Sequence, residues 1–339
     1  MAILLRHARI LGVVALAAVA GCVHAPVAPS SRATEYPPLP AAPLARHVGT
    51  VPGAAFEPGG AGPMERFVSL LTGVDSVEVS LFDQPFGLAA APDGTLLVTD
   101  LGRALVLRLD LARGLVARLS CASAPWSLPM AVVAEADGTV LVADAGAGLV
   151  ALIKPGGACA TIGRGILERP TGLSVLPDRI FVADPGLREV VILSRLGEVL
   201  VRVGDLGGDL GTLRAPTAVV ATAAGEVVVV DSIDGRLIRL DPAGLPLGLL
   251  GPGPDEPALL RPKAVAVDAM GRFLVSDSER AVVEVLDPQG RPLFTIGEAG
   301  DAPSSLSLPG GVAVLGSRLF VADGPLHRLQ AYDLLGARS

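Results

Sequence analysis

Few side chains in this 339-residue sequence could do chemistry, and their placement narrows the choice further. There are four histidines, at His7, His24, His47 and His327, and only His327 falls within the repeated part of the chain. A zinc centre needs three or four ligands converging, so a multi-His site is out of reach. A Ser/His/Asp triad fails on the same shortage, because no His base is at hand for a candidate Ser. Of the three cysteines, Cys22 lies in the N-terminal segment, and neither Cys121 nor Cys159 has an activating neighbour in sequence. In an oxidising compartment Cys121 and Cys159 could pair if their Cα atoms lie within about 7 Å. The alternative is a pair of small buried apolar side chains. The most regular set is six aspartates, Asp100, Asp144, Asp184, Asp231, Asp277 and Asp323. Calcium wants six to eight oxygens converging on one point. Acids spaced one per repeat form a ring of turn caps instead, so neither metal nor cofactor is expected.

The elements that position these aspartates are short strands. The stretch Arg261 to Gly297 has four apolar runs, Ala264 to Val267, Phe273 to Ser276, Val282 to Leu286 and Leu293 to Ile296. Gly, Pro and Asp separate them, a pattern of β-hairpins. The unit recurs. Pro, any residue, Gly or Ala, then Leu or Val begins at Pro85, Pro129, Pro170, Pro216, Pro262 and Pro309. Each repeat aspartate follows its Pro by 14 or 15 residues, and the Pro-to-Pro steps are 44, 41, 46, 46 and 47 residues. Four strands at a period near 40–45 predict an all-β chain, a six-bladed β-propeller of four-stranded antiparallel blades. The proline starts an innermost strand, where no ladder donor is lost. The small residue two positions on lets innermost strands converge, and the Asp caps the turn that follows it. After Gly336 only three residues remain, too few for a last strand. An N-terminal strand is therefore expected to complete the sixth blade, and Phe67 to Leu71 is the segment the sequence offers. Closure removes exposed sheet edges.

Residues 1–21 read as a processing segment: Arg6, His7 and Arg9, an apolar run from Ile10 to Ala20, then Val19-Ala20-Gly21-Cys22. That end resembles a bacterial lipobox, with lipid attached at Cys22. Residues 22–66 are rich in Pro, Ala and Gly and read as a tether, although Val48 to Phe56 could pack on the propeller's side. The propeller is then expected over 67–339. Losing residues 1–21 takes the net charge from −7 to −9, since Arg6 and Arg9 leave and no acid does. An acidic exported chain is a poor nucleic-acid binder.

The sixth repeat carries the clearest family likeness. Leu319-Phe320-Val321-Ala322-Asp323 and His327-Arg328-Leu329-Gln330-Ala331-Tyr332-Asp333 resemble the NHL-repeat six-bladed propellers. The family often has Asn before that His, whereas this chain has Leu326 there and no Asn anywhere. Amidating-lyase relatives hold a metal on several His, and gluconolactonase-like propellers use acidic and Asn ligands at the axial mouth. Neither set can be assembled in full here. The resemblance implies a bacterial envelope protein, and the sequence has no CxxCH haem site of its own.

The residues beside each Pro should ring one mouth of the axis. Arg169, Arg214, Arg261 and Lys263 would make it basic over blades three to five. Asp75, Glu78, Asp83 and Asp301 would make the other side acidic, while Glu168, Asp209, Asp255 and Glu256 lie near the basic set. Trp126, the only Trp, stands just before the second repeat, as a plug over the blade or as a contact on the binding face. The expected function is a monomeric, non-enzymatic binding scaffold. It would be lipid-anchored, with the outer membrane expected because Val23 rather than Asp follows Cys22. Its partner would be an envelope protein or an anionic ligand. The alternative is a lyase- or lactonase-type enzyme with an unrecognised acidic axial site.

Overall fold

The computed structural model describes residues 35–36, 45–51, 81–251, 259–300 and 302–335. Residues 1–21, expected to be a processing segment, and Cys22 lie outside these residues. So do Asp75, Glu78, Asp255, Glu256, Asp301, Gly336 and the Phe67 to Leu71 segment.

Six four-stranded antiparallel blades follow one another in chain order. Their innermost strands are Pro85–Ala90, Pro129–Ala134, Gly172–Leu176, Pro216–Ala221, Pro262–Val267 and Pro309–Leu315. Five begin at the repeat proline itself. The small residue two places on is required by the axis. A Cβ on Gly87 would come within 2.4 Å of the Met130 carbonyl, and one on Gly311 within 2.2 Å of the Phe86 carbonyl.

The second strand of each blade is buried along its whole length in four blades, such as Val140–Asp144 or Val227–Asp231, and after its first residue, Arg179 or Arg318, in blades three and six. Its two faces press against different neighbouring blades, which explains near-continuous Val and Leu where a one-sided sheet would alternate. The core is accordingly a set of seams. Phe181, Val190 and Ile192 of blade three meet Val219, Val229 and Ile238 of blade four. Val283, Val285 and Ile296 of blade five meet Leu319, Val321 and Tyr332 of blade six. Outer strands such as Leu115–Leu119 are largely exposed.

The ring closes with an N-terminal strand, but its residues differ from the sequence expectation. Ala45–Val51 pairs antiparallel with Arg328–Leu334, matching Ala45 to Leu334 and Thr50 to Gln330, with a bulge between His47 and Gly49. Glu35–Tyr36 adds a short further strand beyond it. The propeller therefore includes residues assigned by sequence to the tether. The buried Gln330 holds the seam. Its Oε1 lies 2.9 Å from His47 Nε2 and accepts from Thr50 Oγ1 at 3.0 Å, while its Nε2 donates to the Pro303 carbonyl at 2.6 Å. The His47 ring packs edge-on to Tyr332 with centroids 5.2 Å apart.

Candidate functional site at one mouth of the axial channel

The repeat aspartates set the geometry of the mouth. Each is buried, and each accepts backbone N–H groups from the loop that leads into its own blade. Asp184 takes Glu168 N–H at 2.8 Å and Arg169 N–H at 3.0 Å, then Gly186 and Leu187 N–H from the turn that follows it. Asp277 takes Leu260 N–H at 2.7 Å and Arg261 N–H at 3.1 Å, with Glu279 and Arg280 behind. Asp100 and Asp144 repeat the pattern on Asp83 and Gln84, and on Ser127 and Leu128. Asp231 and Asp323 hold Arg214 with Ala215, and Ser307 with Leu308. The turn-capping role read from sequence is present in most repeats. Its longer reach, from the second strand to the loop 15–17 residues earlier, was not foreseen. With their oxygens directed at amides of their own blades, these acids do not converge.

A cavity of about 630 Å³ runs between the innermost strands. Its lining includes Arg169, Arg261 and Lys263, and no Asp, Glu or His among the described residues. Arg169 is exposed and makes no side-chain hydrogen bond or ion pair among the described residues. Arg261 Nε lies 3.5 Å from Glu279 Oε2, an exposed pair of the kind that contributes about 0–1 kcal/mol. Lys263 stands one residue inside the mouth, half-buried. Burial, and then the Arg261 charge, hold its ammonium below its usual pKa. Facing these cations, blades one and two present Phe86, Leu128 and Met130.

Other expected site residues fall elsewhere. Arg214 does not line the channel, and its guanidinium is 3.2 Å from Asp234. Trp126 donates from Nε1 to the Leu119 carbonyl at 2.8 Å and packs against the seam of blades one and two, as the plug reading has it. Beside it Cys121 and Cys159 form a disulfide, with Cα atoms 5.4 Å apart, inside the range a disulfide allows. His327 contacts the Asp83 carbonyl across the seam of blades six and one, away from the channel. Asp83 is likewise outside the lining, so the side opposite the cations is apolar rather than acidic among the described residues. No three His, Cys, Asp or Glu side chains among the described residues come together as a metal site requires. The apolar half of the mouth was the feature sequence reasoning missed. Its signal is the residue after each repeat proline, Phe86, Met130, Thr171, Thr217, Lys263 and Gly310, which divides into apolar, hydroxyl and cationic members.

No protein-family model matches the sequence, and no curated protein does. Solved structures match in fold. A streptogramin B lyase is 15% identical with a TM-score of 0.56, over 75% of this chain and 84% of that one. A gluconolactonase of Xanthomonas campestris is 20% identical with a TM-score of 0.57, over 75% and 86%. A chain of a nidogen/laminin complex is 18% identical with a TM-score of 0.52, over 64% and 81%. At such identities the likeness is one of architecture, shared by enzymes and by a protein of an assembly.

Proposed function

We propose that this chain is a non-enzymatic binding module of the bacterial envelope, held by a lipid at Cys22 and working through the cationic mouth of its channel. The observation that carries the reading is the composition of that mouth. Arg169, Arg261 and Lys263 line it, and no His or carboxylate joins them among the described residues. Three cations attract and orient an anion, and Lys263, whose pKa burial lowers, has no His or carboxylate beside it in the lining to act as a second acid–base partner. The lyase and lactonase neighbours keep the enzyme reading in view, yet their likeness to this chain is confined to fold.

The test is triple charge reversal, Arg169→Glu with Arg261→Glu and Lys263→Glu. Rim charges act mainly on association rate and salt sensitivity. Capture of an anionic partner from envelope extract at low salt should fall at least tenfold, with the fold intact by thermal unfolding. Reversal at Arg214, which already faces Asp234, should change capture little. Undiminished capture by the triple variant would remove the mouth as the binding face.

A further inference from the structure

The wall below the cations has a chemistry of its own. The cavity passes along the innermost strands from the mouth to their far ends, past Ala89, Val133, Val219, Ala266, Val267 and Val314. Four hydroxyls occur in this wall, Thr171, Ser174, Thr217 and Ser232, and the first three are engaged. Thr171 Oγ1 donates to the Thr217 carbonyl at 3.0 Å, and Thr217 Oγ1 donates to the Lys263 carbonyl at 3.1 Å. Ser174 Oγ accepts from Ala221 N–H at 2.8 Å. They latch neighbouring blades together and are already partnered when a ligand arrives.

The volume, about 630 Å³, suits a small molecule. The arrangement discriminates among possible occupants. A polyhydroxylated body entering this wall would lose water from each hydroxyl and find only Ser232 and the outward edge of the innermost strands as partners among mostly apolar side chains, a desolvation compensated in part. An alkyl body loses nothing of that kind and gains from leaving water. At the mouth a neutral head would leave Lys263 half-buried with only the buried Asp277 carboxylate, already turned to backbone amides, as counter-charge. An anionic head meets the exposed Arg169 and Arg261 on either side of blade four and the half-buried Lys263 behind them.

We propose that the channel binds a single-chain amphiphile with an anionic head, the head set among Lys263, Arg169 and Arg261 and the apolar body lying between the innermost strands. This rests on the cationic mouth being the binding face, and it adds the ligand class. Carboxylate and phosphate monoester heads share the required chemistry, and the test separates them.

The experiment is calorimetric titration of the exported chain carrying Cys22→Ala, so that no detergent competes. The probes are decanoate, monodecyl phosphate, decanol, citrate and gluconate. Decanoate or monodecyl phosphate should saturate at one per chain, and the tighter of the two names the head. Decanol should bind at least tenfold more weakly, and citrate and gluconate should not saturate. Lys263→Met should weaken the anionic amphiphile at least tenfold and leave decanol unchanged. Decanol binding as tightly as decanoate would overturn head recognition. Citrate or gluconate binding as tightly would overturn the apolar body while leaving the cationic face standing. If no probe binds but the triple reversal still abolishes partner capture, the ligand class is wrong and the binding face survives. If no probe binds and capture is also unchanged, both fall.

Discussion

Lys263 holds its charge in a place that resists it. Burial is the larger cause of its lowered pKa and Arg261 the next. In the unfolded chain the amine returns to its ordinary value near 10.5. Between the lowered folded value and 10.5 the unfolded state binds more protons, so the linkage sign is positive and stability rises with pH across that window. Below the window the penalty is present in full. Lys263→Met should therefore raise Tm at pH 7, and the gap from the parent should close as pH approaches 10.5. A Tm that stays equal or falls at pH 7 would mean the ammonium is well hydrated in the channel. A residue that lowers stability at the mouth of a cavity fits a binding role better than a structural one. The repeat aspartates are the opposite case. Asp184 and Asp277 fix the loops on which Arg169 and Arg261 stand, so they position the site without lining it.

The element that decides whether the ring is closed is Ala45–Val51. Its buried members are Ala45 and His47, while Val48 is exposed and Gly49 sits at a bulge. That inversion hid it from the sequence. An apolar Val faces out, a His faces in, and the alternation breaks at the bulge, so Phe67 to Leu71, with its plain apolar pattern, looked the better strand. The other blades were legible because Pro, Asp and Gly mark them at fixed offsets, each for a backbone reason. The channel was legible in part. Positions beside the prolines located Arg169, Arg261 and Lys263, but Arg214 is turned to Asp234 by a contact that only the folded loop creates. The Cys121–Cys159 bond likewise depends on two outer-edge segments meeting, which no spacing rule fixes. Truncation tests the closing strand. Removing residues before Ala45 should leave cooperative unfolding within a few degrees of the parent. Removing residues up to Val51 should strip Gln330 of its His47 and Thr50 partners, expose the edge of Arg328–Leu334, and give aggregation or a broad, much lower transition. Two truncations that melt alike would show that the strand does not close the ring.

At the scale of the whole molecule the charge pattern opposes itself. The chain is acidic overall, with a formal net charge of −7, while its channel mouth is cationic. An anionic amphiphile in bulk water meets the net negative field first and the local cations only within about 8–10 Å, the screening distance at physiological salt. Delivery from free solution is therefore slow, and an anionic amphiphile is in any case scarce there, since its chain prefers a bilayer. The proposed lipid at Cys22 would answer both difficulties by keeping the channel near the phase where such molecules collect, at a raised effective concentration. Single acyl chains anchor weakly, and stable attachment takes more than one, so Cys22 carrying more than one acyl chain should partition fully with membranes. Cys22→Ala should release the chain to the soluble fraction or leave an unprocessed precursor. The soluble variant should also carry less endogenous amphiphile, measured by mass spectrometry of solvent extracts from the purified protein, with its thermal unfolding unchanged. A Cys22→Ala chain that is processed like the parent and still fractionates with membranes would remove the anchor. One that is soluble yet equally loaded would show that the channel fills without help from the bilayer.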